Sequence, residues 1–234
     1  KAATDALGDD ALGAFVSSPL MTEEEREEAL AIASAFNARV IVLTQDEGLD
    51  PQVLENTPDR CFFCKANICE TLKTYAAAHD YDAVVDGANV DDLGDYRPGA
   101  RAAAACGMQS PLHIAGITKQ EIRTLAKALD LPNWDRPSAA CLASRIPYGT
   151  PITEAALARI AQAESLLRDL GFGQLRVRHH KGIARIEVPS ADFAGVLTER
   201  DRIVNAFKDL GYAYVTLDLS GFRSGSMNEV IDTH

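Results

Sequence analysis

The 234-residue sequence has no apolar run near the roughly 20 residues that a membrane span requires, and no charged-then-apolar leader. A soluble, cytoplasmic protein with no membrane partner is therefore expected. Positive charge is in deficit, with 23 Lys and Arg against 34 Asp and Glu and a net charge of −11. A nucleic acid could be held only by a local basic patch working against the overall field, so no nucleic-acid partner is expected. The five cysteines are too few and too unevenly placed for a secreted disulfide scaffold, which favours reduced thiols. A second Cys-x-x-Cys and a His pair at zinc-ligand spacing, either of which would complete a zinc site, are missing too. Internal repeats and low-complexity tracts are also absent.

What is present reads as a globular α/β chain, 47% hydrophobic. Lys1 to Leu12 resembles the end of a helix, and an N-terminal segment is expected to precede it. Gly13 to Ser17 is a short apolar run. Thr22 with Glu25 forms a capping-box signature for a helix to Asn37, and Val40 to Leu43 reads as a buried strand. Strand, helix and strand with short connections suggest a parallel sheet. Further helices are expected over 61–78, from Pro98 to Cys106, and from Thr118 to about Leu129. Strands are expected over 82–86 and, weakly, 110–114. Residues 131–150 read as an ordered, irregular connection. A second unit then follows as α-β-β-α-β: a helix over 154–170 capped by Thr153, strands over 175–180 and 183–188 joined at Lys181-Gly182, one helix over 191–210, and a strand over 214–218. The expected architecture is an α/β domain of residues 1–150 followed by a small α+β domain of residues 151–234.

Three segments carry residues suited to chemistry. Cys61 and Cys64 can turn their sulfurs to one point at a helix start. This spacing alone leaves metal or cluster ligation, a redox pair and a structural pair all open. Cys141 stands alone some eighty residues later; with no second cysteine beside it to serve as a fourth ligand, three thiols would leave one iron of a cluster open. Asp86-Gly87-Ala88-Asn89 follows an expected strand, where ligands collect in parallel sheets, or is a turn of solvated acids. Arg176 and Arg178 alternate onto one strand face, which can address a single anion or simply face solvent. Ser144 and Arg145 lie close to Cys141 in sequence. Glu164 is on a helix that could face this sheet, or is a solitary surface Glu. Cys69 and Cys106 are expected to be core thiols.

Asp86-Gly87, the run Asp91-Asp-Leu-Gly-Asp-Tyr-Arg-Pro-Gly99, Cys141-Leu-Ala-Ser-Arg-Ile-Pro-Tyr-Gly149 and Gly221-Phe-Arg-Ser-Gly-Ser-Met-Asn228 together resemble one family. This is the family of ATP-dependent sulfur transferases that mature lactate racemase, within the PP-loop ATP pyrophosphatases, and the resemblance covers essentially the whole chain. Members convert the carboxylates of a pyridinium dicarboxylate mononucleotide to thiocarboxylates, giving the nickel-pincer nucleotide. The resemblance implies adenylylation of a carboxylate by ATP and Mg²⁺, release of pyrophosphate, and attack by a sulfur donor. One branch sacrifices a cysteine one position before Cys141, where this chain has Ala140; the other carries sulfur on a [4Fe–4S] cluster held by three cysteines. The pattern here resembles the second, with Cys61, Cys64 and Cys141 as both ligands and catalytic thiols. The resemblance further assigns Ser17, Asp86, Gly87 and Arg97 to ATP, and Ser144, Arg145, Glu164, Arg176 and Arg178 to the substrate. The Ser-Gly-Gly-x-Asp-Ser phosphate loop of the family should precede Lys1 and is not in this sequence. Implied partners are a small-molecule nucleotide substrate, a sulfide source and further copies of the chain. The rivals are a cluster-dependent tRNA thiolase of the same superfamily and a zinc-stabilised binding module without turnover.

Overall fold

Contacts divide the chain into two units, Lys1–Ala139 and Ala140–His234. The division expected after residue 150 falls earlier, so the segment carrying Cys141, Ser144 and Arg145 belongs with the second unit. The computed structural model describes residues 1–45, 48–94, 98–136 and 140–223.

The first unit runs α1 (Ala2–Leu7), β1 (Gly13–Ser17), α2 (Glu23–Ala35), β2 (Val40–Thr44), α3 (Pro51–Leu54), α4 (Arg60–Ala78), α5 (Pro98–Ala105), α6 (Pro111–Ile114) and α7 (Lys119–Ala128). β1 and β2 pair in parallel, from Gly13 opposite Val40 to Ser17 opposite Thr44. Both expected capping boxes form. Thr22 Oγ1 accepts from Glu25 N at 3.2 Å while Glu25 accepts from Thr22 N at 3.0 Å, and Thr118 with Glu121 repeats the arrangement. Each box satisfies two helix donors that would otherwise have no partner. α4 packs along α5 and also touches α3 and β1.

Two expected strands of this unit do not form. Residues 82–86 contribute a single parallel bridge, Val85 to Gln109, because no adjacent pair extends it into a ladder. Residues 110–114 instead begin a short helix. Pro111 presets the helical φ and has no N–H to give a sheet, and Ile114 N donates to Ser110 O at 2.9 Å.

The second unit runs α8 (Glu154–Asp169), β3 (Arg176–His180), β4 (Ile183–Glu187), α9 (Phe193–Thr198), α10 (Arg200–Asp209) and β5 (Tyr214–Leu217). Thr153 caps α8, accepting from Ala156 N at 3.1 Å. The sheet order is β3-β4-β5, the hairpin antiparallel and β5 parallel to β4. Val177, Ala184 and Ile186 turn to one face, where they form the core with Leu167, Ile203 and Phe207. The single helix expected over 191–210 is two. Thr198 Oγ1 bonds back to Ala194 O at 2.9 Å at the end of α9, and Glu199 is the cap residue between the helices.

Candidate functional site

In the second unit, a 3₁₀ turn over Leu142–Arg145 follows Cys141 and packs on α8 and β3. The thiol of Cys141 is free and exposed, whereas Leu142, Ala143, Arg145 and Ile146 beneath it are buried. Two guanidinium groups fasten this turn. Arg145 donates from Nε and Nη2 to the two carboxylate oxygens of Glu164, at 2.9 and 3.0 Å. Its Nη1 donates to the carbonyls of Ala140 and Cys141 and to Ser144 Oγ. Arg178 donates from Nε and Nη2 to Glu187, both at 2.9 Å, while its Nη1 donates to Ser144 O at 2.6 Å. Forked pairs of this kind fix orientation as well as charge.

Glu164 is fully buried. It also accepts from Val177 N at 3.0 Å and from Arg168 at 3.2 Å. β3 is an edge strand, so Glu164 satisfies an edge N–H that would otherwise lie unpaired inside the protein. Glu164 is thus the anchor joining α8, the turn and the sheet.

Arg176 and Arg178 do share a strand face, but this face is not the solvated one that the alternation left open. They are 9% and 3% exposed. Their circumstances differ: Arg178 is paired with Glu187, whereas Arg176 has no ion pair among the described residues. The Arg176 guanidinium lies over the Phe222 ring, 4.8 Å from its centroid. Glycine is required just before that ring. Gly221 has φ 70°, and a Cβ there would come 3.2 Å from Val188 O. Burial, and then the neighbouring charges of Arg178 and Arg145, push the Arg176 pKa below its ordinary value despite Glu187 and Glu164. A buried cation with excess positive charge around it favours an incoming anion.

In the first unit, Cys61 and Cys64 lie one turn apart at the start of α4, both half-buried and neither in a disulfide. Arg60, 3% exposed, donates to Asn56 Oδ1 and approaches Cys61 Sγ at 3.9 Å. Gly99 of α5 lies against this stretch, its Cβ position 3.4 Å from Cys61 O and 3.6 Å from Lys65 Cβ, which is ordinary contact distance. From the next turn of α4, Lys65 reaches Asp86 at 3.3 Å. Burial disfavours the Asp86 charge, but the Ser110 hydroxyl at 2.7 Å, the Ala88 N–H and Lys65 outweigh it, holding the carboxyl below its ordinary pKa. Beside it, a Cβ on Gly87 would meet no protein atom within 4 Å.

Ser17 lines a separate cavity of about 330 Å³ with Ser18, Thr22, Arg26, Thr44 and Gln45, at the carboxyl ends of β1 and β2. Arg97 lies outside the described residues. Among the described residues, no three His, Cys, Asp or Glu side chains gather as a metal site. Of the expected core thiols, Cys69 is wholly buried, and burial followed by the Cys106 thiol pushes its pKa up to about 12; Cys106 is half-buried.

Sequence reasoning missed Glu187, Lys65 and Arg60. A signal for Glu187 was present: counting back across the Lys181-Gly182 turn places it opposite Arg176. Nothing local distinguished Lys65 or Arg60.

No family model matches the chain. A pyridinium-3,5-bisthiocarboxylic acid mononucleotide synthase of Lactiplantibacillus plantarum is 41% identical over 232 residues, covering 99% of this chain and 84% of that protein. An uncharacterised protein of Synechocystis is 41% identical over 233 residues, covering 99% and 87%. Another of Methanocaldococcus jannaschii is 32% identical over 210 residues, covering 90% and 80%. The chain belongs to the family of the Lactiplantibacillus plantarum pyridinium-3,5-bisthiocarboxylic acid mononucleotide synthase.

Proposed function

We propose that this protein is a sulfur transferase that converts the carboxylates of a pyridinium-3,5-dicarboxylate mononucleotide to thiocarboxylates, as a step in making the nickel-pincer nucleotide. The near-full-length likeness to a synthase of the bisthiocarboxylic acid mononucleotide supports the substrate class. The observation that carries the reading is Arg176, a buried cation without a carboxylate partner among the described residues, in the same unit as the exposed Cys141 thiol. Arg176 takes the substrate phosphate, with Arg178 beside it. Ser144 lies on the Cys141 turn near the reacting end. Arg145 and Glu164, saturated by each other and by the backbone, hold that turn.

The reading extends to the PP-loop ATP pyrophosphatases. ATP with Mg²⁺ activates the carboxylate as an acyl adenylate, and pyrophosphate leaves. The cavity bordered by Ser17 at the ends of two parallel strands supports a nucleotide site, as ligands collect there in such sheets. The open space at Gly87 beside the charged Asp86 supports a phosphate or metal approach. Cys61, Cys64 and Cys141 would hold a [4Fe–4S] cluster. The two half-buried thiols one turn apart and the exposed third fit as thiolate donors. When bound, the cluster would supply hydrosulfide at its open iron. The test is incubation of anaerobically prepared protein with the dicarboxylate mononucleotide, ATP, Mg²⁺ and sulfide. The reading expects thiocarboxylate and pyrophosphate in step. Sulfur incorporation into bulk tRNA instead would overturn it.

A further inference from the structure

We propose that Glu187 is a positioning residue for Cys141, acting through Arg178 and the carbonyl of Ser144. Glu187 is 1% exposed, and its carboxylate is already committed. Oε1 accepts from Arg178 Nε and from Arg185 at 3.2 Å, and Oε2 accepts from Arg178 Nη2. Such a group has little capacity left for a ligand. What it does is lock the Arg178 fork, which leaves Nη1 to hold Ser144 O at 2.6 Å.

Ser144 is in turn the residue whose N–H closes the turn on Cys141 O at 2.9 Å. The chain of contacts therefore runs from the middle of the sheet, through β3, to the segment that presents an exposed thiol. Arg145 and Glu164 form a second arm to the same turn, from α8. Arg185 braces Glu187 from the wet side and donates no bond to the turn. Two buried carboxylates thus set where Cys141 stands, and neither needs to touch the substrate. That a fixed Cys141 matters for sulfur transfer rests on the proposed function; the positioning itself does not.

Amide hydrogen exchange of the metal-free protein, read residue by residue, separates positioning from general stability. Glu187→Gln and Arg178→Lys should each speed exchange at Ser144 and Ile146 by about tenfold or more, while amides of α10 stay at the wild-type rate. Arg178→Lys keeps the charge facing Glu187 and loses the fork, so it reports even if Glu187→Gln folds poorly. Arg185→Lys should leave the turn as in wild type. The rate of Cys141 alkylation, followed by peptide mass, should change in the first two variants only. Equal acceleration across the whole unit, or an unchanged turn in Arg178→Lys, would overturn the proposal. A loosened turn combined with a wild-type protein that forms no thiocarboxylate would leave the positioning standing and count against the proposed function instead.

Discussion

Arg176 and Arg178 sit two positions apart on one strand, yet only one of them has a buried carboxylate. Electrostatics separates what sequence alternation makes equivalent. Replacing Arg176 by Ala should weaken binding of the mononucleotide by about 1.5–3 kcal/mol, the usual worth of a charged hydrogen bond. Isothermal titration of the substrate against both proteins checks it, and equal affinities would remove Arg176 from the site. Glu164 belongs to the same scale but acts differently. Its loss leaves the Arg145 charge buried and Val177 N–H unpaired, so Glu164→Ala should cost about 3–5 kcal/mol in unfolding free energy. Denaturant titration measures that directly. The pair could not be read from sequence because Arg145 and Glu164 meet only through tertiary packing of the turn on α8.

At the scale of elements, polar caps and the hairpin were legible and sheet partners were not. Thr22, Thr118 and Thr153 each announce a helix through a local bond, and each makes it. The Lys181-Gly182 turn joins strands of the expected faces, with Lys181 at φ 55°. The segment 82–86 has the apolar content of a strand but one bridged residue, since a ladder depends on neighbours distant in sequence. The α9–α10 break is legible only in hindsight, from a threonine bonding back to its own helix. Among the site residues, the Cys61–Cys64 spacing and the Arg176–Arg178 alternation were visible as patterns and the hairpin register pointed to Glu187, while the approach of Arg60 to Cys61 came from packing. Because α8 carries Glu164, its cap bears on the site as well as the fold. Thr153→Ala should cost about 1 kcal/mol of stability, and a thermal unfolding comparison would show it.

For the whole molecule, acidification should be destabilising through a histidine pair in the second unit. Burial lowers the pKa of His179 below its ordinary value, helped by Arg159 and His180. Burial lowers that of His180 too, helped by Arg185 and Arg178. Groups with depressed histidine pKa values stay neutral in the folded chain while the unfolded chain takes up protons. Stability is therefore intact above about pH 6.5 and falls as pH drops from there toward the folded values. Unfolding midpoints at about pH 7.5 and 5.5 should differ, less so in a double His→Asn variant; identical pH dependence in both proteins would refute this. Among the described residues, no helix is long and apolar enough to cross a membrane. The three thiols proposed as cluster ligands lie in two units, and the sulfur chemistry proposed for them leaves the polypeptide intact. Intact-protein mass after many turnovers, taken alongside iron and acid-labile sulfide analysis of air-protected protein, tests this most directly. The account predicts about four irons per chain and an unchanged polypeptide mass after repeated thiocarboxylate formation. An iron-free, active protein that loses one cysteine sulfur for each sulfur transferred would contradict it.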